Sequence, residues 1–219
     1  LRCQTSKFQL NIIRLRTGMT GWDLVIRNLT SGKLLEKEKM MKVLDNFLPK
    51  EVFQTIKQLV IGTDIDSSNT SWYWQPCITY IGKPESKSRA GQLTHRLYDT
   101  NIGVQSQLYE PIFSSIVAPL YGSNGGLMVK MKLNLNPRTC SNEILGDYHR
   151  DTKLKCKTAI FYFNTNNGFT KFKNGDIVEC IENRIVIFDS DILHVGYSCT
   201  DSQYKLLLNI NYFEGPIDD

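Results

Sequence analysis

Residues 146–212 hold three polar groups that are far apart in the chain and must be brought together by the fold if they act as one. His149 and Asp151 stand in Gly146-Asp147-Tyr148-His149-Arg150-Asp151. His194 stands in Asp191-Ile192-Leu193-His194-Val195-Gly196, and Lys205 lies inside the apolar run Tyr204-Lys205-Leu206-Leu207-Leu208-Asn209-Ile210. His194 follows Asp151 by 43 positions, and Lys205 follows His194 by eleven. In an extended strand, residues two apart share a side, so His149 and Asp151 can grip one ion. Two imidazoles and a carboxylate are the donor set of a non-heme Fe(II) that keeps coordination positions open. An His-x-Asp alone is a weak signal. Here it precedes a buried-strand pattern, and the second histidine follows the hydrophobic strand Ile185-Val186-Ile187-Phe188. The lysine is also informative, because an ammonium in such a strand is costly unless it meets a carboxylate.

The chain around these groups reads as strands. Met128, Lys130, Lys132 and Asn134 alternate with Val129, Met131, Leu133 and Leu135, a period of two. His149-Arg150-Asp151 reads as the start of a strand, with Arg150 turned away from its neighbours as a rim residue. Residues 158–164 are buried-strand material by composition, with Tyr162 assigned to the core. Asn174-Gly175 is a hairpin signal. Residues 177–181, 184–188 and 205–212 continue a series of short strands, which suggests a sandwich or jelly roll. Two helices precede them. Pro49 suits the first helical position, and Val52, Phe53, Ile56, Leu59 and Val60 follow at helical spacing, so a helix is expected over 49–61 and closed by Gly62. A second is expected over 105–120, with Pro119 helping to end it.

The pattern resembles the 2-oxoglutarate- and Fe(II)-dependent dioxygenases, in their prolyl-4-hydroxylase-like branch, over roughly residues 43–213. The resemblance rests on His149, Asp151, His194 and Lys205, on the entry Val43-Leu44-Asp45-Asn46-Phe47-Leu48-Pro49, and on the strands at 158–164 and 183–188. It implies a mainly β fold with flanking helices: a double-stranded β-helix (jelly roll, cupin-like). It implies His149, Asp151 and His194 as iron ligands and catalytic residues. Lys205 would be the cation for the distal carboxylate of 2-oxoglutarate, with Asn134 as a further co-substrate contact. Leu207 stands where relatives often carry a small polar residue. The implied cofactors are Fe(II) and 2-oxoglutarate, with ascorbate as an accessory reductant. The implied reaction hydroxylates a C–H bond with O2, for instance at a peptidyl proline. A small metabolite or nucleobase as substrate, and a non-enzymatic metal-binding jelly roll, stay open as alternatives.

Residues 1–39 carry 8 Lys and Arg against 3 Asp and Glu, and residues 40–219 carry 18 against 19. The second stretch is thus near neutral, which speaks against nucleic acid as a partner. Residues 1–39 read either as an extension or as a small strand layer, with a hairpin expected over 23–35 and its turn at Ser31-Gly32; residues 40–219 read as the dioxygenase domain. Aromatic residues Trp72, Tyr73 and Trp74 are expected in sheet or core packing, with a wall of the substrate pocket as the alternative; residues 83–90 read as a polar loop, and His95 as a structural or surface residue. No apolar run approaches the roughly 18 residues that span a membrane, and no signal-peptide pattern opens the chain. The six cysteines form no C-x-x-C, so they are expected as free thiols in a cytoplasmic compartment. A peptide or a small molecule is the expected partner, with no membrane; the sequence sets no oligomeric state.

Overall fold

A computed structural model describes residues 13–16, 22–25, 41–62, 70–76, 91–123 and 125–215. The chain divides into two compact units, Leu1–Glu38 and Lys39–Asp219. In the first unit, β1 (Ile13–Arg16) and β2 (Trp22–Val25) pair antiparallel, with Arg16 opposite Trp22. Residues 23–25 therefore pair with an earlier strand, and the turn expected at Ser31-Gly32 lies outside the described residues. So does the loop expected at 83–90.

The second unit begins with β3 (Met41–Leu44), α1 (Lys50–Ile61), β4 (Tyr73–Gln75), β5 (Gln92–Asp99) and β6 (Gly103–Val104). Next comes α2 (Tyr109–Ile112), then the long β7 (Gly126–Pro137) and β8 (Ile144–His149). The run closes with β9 (Lys157–Tyr162), β10 (Phe169–Phe172), β11 (Ile177–Glu179), β12 (Arg184–Asp189), β13 (His194–Tyr197) and β14 (Tyr204–Glu214). The large sheet has the order β3-β12-β9-β14-β7-β5-β4, with β6 on β5; the small sheet has the order β11-β10-β13-β8. Every pairing among them is antiparallel, and the expected jelly roll is what forms.

Alternation along the central strands divides the large sheet into two faces. Phe161, Leu206, Leu208, Ile210, Met131 and Leu133 face outward, against Phe53, Ile56 and Val60 of α1 and against Ile112, Ile116 and Val117. Ile160, Tyr162, Val186, Phe188 and Leu207 face inward, against Phe172 and Val178 of the small sheet. Tyr162 is fully buried and bonds Thr170 Oγ1 at 2.8 Å through its hydroxyl, as a core residue. Fully burying one such side chain stabilises by roughly 1.5–3 kcal/mol, so each face contributes substantially.

Several local expectations shift by a few residues. Pro49 precedes α1 as its cap, and Gly62 ends the helix at φ 88° with its N–H on Gln58 O. The second helical segment starts at Tyr109, widens to a π-turn over Phe113–Val117 and ends as a 3-10 turn over Ala118–Tyr121. Pro119 has no N–H with which to continue the ladder. Lys130 pairs with Asn211 but Met128 pairs with Tyr212, so Val129 is an extra residue and Met128 joins the outer core instead of the polar face. Tyr73 and Trp74 lie in the sheet, but on β4, an edge strand among the described residues, where they are 66% and 60% exposed and not packed in the core. His95 is structural: Nδ1 meets Ser71 O at 2.7 Å and Nε2 meets Ser106 Oγ at 2.7 Å.

Candidate active site

The two histidines are brought together by strand register. His149 ends β8 and His194 begins β13, and they are direct partners across the antiparallel pair, with ring centroids 4.9 Å apart. Asp151 does not lie in a strand as expected: β8 stops at His149, and Asp151 sits in the bend beyond it. That bend brings its carboxylate between the rings, with Oδ1 at 3.6 Å from His149 Nε2 and Oδ2 at 3.4 Å from His194 Nε2. The donor atoms of all three lie within 4.8 Å of one another, so one ion can be held by the three.

Each ring is oriented from behind. His149 Nδ1 is 2.8 Å from Asp147 O and His194 Nδ1 is 3.2 Å from Ile192 O. A carbonyl only accepts, so each Nδ1 carries a proton, and each ring in its neutral form presents the Nε2 lone pair to the shared centre, the tautomer a metal requires. Phe188 packs edge-on to His194 at 4.9 Å between centroids and keeps that ring 3% exposed. Asn209, on β14, donates from Nδ2 to Asp151 Oδ2 at 2.9 Å, and so holds the carboxylate from the opposite sheet. Burial pushes the Asp151 carboxyl up, but hydrogen bonds and charge from both imidazoles more than reverse it, and it stays well below the ordinary 3.8. For His149, burial pushes down, and the bond and charge of Asp151 overcome it, so its imidazole titrates above 6.5.

The three donors open into a cavity of about 410 Å³ between the two sheets. Lys205 and Asn134, both expected at the site, line it with Asn136 and Leu207. Lys205 is 1% exposed, and its ammonium donates to Phe169 O at 2.8 Å and Tyr197 O at 3.0 Å. Those carbonyls offset much of the desolvation cost, and the Cys180 thiol is a further hydrogen-bonding neighbour of the ammonium. Lys205 and Asn209 share a face of β14 four residues apart, about 13 Å at about 3.3 Å per residue. A dicarboxylate such as 2-oxoglutarate fits between a cation and a metal so placed. Asn134 Oδ1 is buried without a partner among the described residues, consistent with a group that waits for a ligand. Arg150 is exposed at the rim, where Nε donates to Asp191 O at 2.9 Å.

Asn209, Gln92, Lys130 and Lys132 also line the cavity and were not foreseen. The signal was present: Lys130, Lys132, Asn134 and Asn136 alternate along β7, so an Asn134 that faces the site carries the others with it. Burial first, and then Lys130, push the Lys132 ammonium down to about 8 against the pull of Asp151.

No family model matches the chain, and no curated protein matches it in sequence. Solved structures do. An oxidoreductase of the 2OG-Fe(II) oxygenase family from Burkholderia pseudomallei is 8% identical with a TM-score of 0.57, over 80% of this chain and 86% of that one. A prolyl hydroxylase from Trichoplax adhaerens, solved with a hypoxia inducible factor peptide fragment, is 13% identical with a TM-score of 0.53, over 81% and 84%. AviO1 from Streptomyces viridochromogenes is 11% identical with a TM-score of 0.52, over 83% and 93%. At such identities the likeness is one of backbone: the chain has the jelly-roll fold of the 2-oxoglutarate–Fe(II) oxygenases.

Proposed function

We propose that this protein is an Fe(II)- and 2-oxoglutarate-dependent dioxygenase that hydroxylates a C–H bond. The observation that carries the proposal is the convergence of His149, Asp151 and His194 on one point at a cavity that also holds the buried Lys205. His149, Asp151 and His194 would hold the metal, leaving positions open for co-substrate and O2. Lys205 would pair by its charge with the far carboxylate of 2-oxoglutarate, and the amide of Asn134 would contact the co-substrate. When bound, metal and co-substrate supply an oxidant at the cost of splitting 2-oxoglutarate to succinate and CO2. The chain's own part is to hold the carboxylate with Asn209, to fix the imidazole tautomers through Asp147 and Ile192, and to wall the centre from water with Phe188.

The Trichoplax prolyl hydroxylase was solved with a peptide, so a peptidyl proline is one substrate class to try, beside a small molecule. Ascorbate would serve as accessory reductant. The four described cysteines are unpaired, three of them buried, which supports a reducing, cytoplasm-like compartment. No helix among the described residues is long and apolar enough to cross a membrane.

The test is anaerobic Fe(II) binding, followed by succinate release from 2-oxoglutarate in air, in the parent and in His194→Ala. We expect the parent to bind one Fe(II) and release succinate, and the variant to lose iron-dependent turnover while keeping its circular dichroism spectrum. Equal succinate release by the two proteins would overturn the metal assignment.

A further inference from the structure

The cavity holds more positive charge than iron and co-substrate can use. Among the described residues, Lys130, Lys132, Arg150 and Lys205 line it, against one carboxylate, that of Asp151. A divalent ion and a dianionic co-substrate cancel each other, so three positive charges remain. Arg150 is exposed and partnered by Asp191 O, and Lys205 is held by two carbonyls. Lys130 and Lys132 differ from these, since neither has a hydrogen bond or ion pair with any described residue.

Register places these two lysines apart from the co-substrate cation. Lys132 lies directly across from Asn209, which holds Asp151, and on its other side across from Arg96. Lys205 lies across from Asn136, four residues further along β7, about 13 Å at about 3.3 Å per residue. One carboxylate of 2-oxoglutarate belongs at Lys205 and the other at the metal, which leaves none for Lys132 or Lys130. Asn134, between the two cationic ends, keeps a buried Oδ1 with no partner among the described residues.

We propose that Lys132, backed by Lys130, is the anion-binding subsite for the molecule that is oxidised, and that this molecule is a small compound carrying a carboxylate or a phosphate. The inference rests on the oxygenase reading for the word "oxidised", but the subsite itself does not depend on it. A half-buried ammonium with no hydrogen bond or ion pair to a described residue, drawn only by the more distant charge of Asp151, loses hydration that an oxyanion restores. The depressed Lys132 ammonium, near 8, agrees with that loss. A neutral prolyl ring offers these cations nothing, and a cationic substrate is repelled by them.

Calorimetric titration of inorganic phosphate and of acetate tests the proposal. Parent, Lys132→Met and Lys205→Met proteins are each titrated metal-free and again saturated with Ni(II) and 2-oxoglutarate. We expect at least one anion to bind the saturated parent and to bind Lys132→Met about 10–100-fold more weakly, the range of one charged hydrogen bond. The 2-oxoglutarate affinity of Lys132→Met should stay within about twofold of the parent, which also shows that the variant folds, while Lys205→Met should lose about 10–100-fold. The anion that binds more tightly identifies the group the substrate carries. Equal anion affinity in parent and Lys132→Met overturns the subsite. A loss of 2-oxoglutarate affinity in Lys132→Met as large as in Lys205→Met overturns it too, by giving Lys132 to the co-substrate. Lys132-dependent anion binding in a protein that takes up no Ni(II) upholds the subsite and overturns the oxygenase reading instead.

Discussion

Asp151 is the most heavily supported group in the site, and Asn209 is the support that comes from outside the histidine pair. Its Nδ2 fixes one carboxylate oxygen at 2.9 Å from across the cavity. Residues that orient a ligand in this way typically matter by about 10–100-fold in metal affinity when removed. Asn209→Ala is therefore expected to weaken Ni(II) or Fe(II) binding by about that factor without moving the melting temperature of the metal-free protein much; an unchanged affinity would show that the bend after His149 fixes Asp151 by itself. Protons compete for the same donors. In the metal-free protein His149 titrates above 6.5, so its contribution to stability is full below pH 6.5 and is lost as pH rises through the raised value. Asp151 works the other way: its contribution is present above pH 3.8 and lost as pH falls toward its lowered value. A metal needs His149 neutral, so binding should release a proton once the pH is below the raised value, and affinity should fall by up to about tenfold per unit there. Metal titrations in buffers of different ionisation enthalpy measure that release directly.

Among the elements, the turn before β12 ties the helical entry to the sheet. Asn183 is buried at φ 60°, a left-handed conformation that Asn tolerates better than most residues. Its Oδ1 accepts from Leu48 N at 2.9 Å, its Nδ2 donates to Leu48 O at 2.8 Å, and its own carbonyl accepts from Phe47 N at 2.9 Å. Asn183→Ala removes two buried hydrogen bonds and places a Cβ-bearing side chain with no local partner in left-handed backbone. Urea unfolding should show a loss of about 2–4 kcal/mol, with Asn183→Gly about 1 kcal/mol milder because only the bonds are lost. This clamp was not legible in the sequence, where Asn183 reads only as the start of a strand. What was legible follows from chemistry that acts locally. The apolar composition of β9 announces a buried strand, and Asn174-Gly175 announces the β10–β11 hairpin, where Gly175 takes φ 102°. The π-turn at Phe113–Val117, the bulge at Val129 and the exposure of Trp74 depend on neighbours distant in sequence, which periodicity does not see. The candidate site was legible in the same measure: residue types and spacing indicate the two histidines and Asp151, but not the bend after β8 that carries Asp151 out of the strand, nor Asn209, which reaches it from the opposite sheet.

On the scale of the whole 39–219 unit, the cavity is where the two sheets depend on each other. His149 and His194 come from the small sheet, Lys205 and Asn209 from the large one, and Lys205 donates to carbonyls of β10 and β13. A ligand that engages both ends therefore stabilises the packing of one sheet on the other, not one strand. For a ligand that binds only the folded state, the gain at one hundred times its dissociation constant is about 2.7 kcal/mol. In a chain of 219 residues each 1 kcal/mol raises the melting temperature by about 2–4 °C, so the expected rise is about 5–11 °C. Ni(II) and 2-oxoglutarate together should produce that rise, and Ni(II) alone a smaller one. 2-Oxoglutarate alone should produce less still, because without the metal only Lys205 holds it firmly. In His194→Ala the combined rise should collapse to that of 2-oxoglutarate alone. A parent protein whose melting temperature ignores Ni(II) and 2-oxoglutarate in every combination would mean that the convergence of donors at the cavity is structural, and that the ion pairs of Asp151 with the two histidines are its whole purpose.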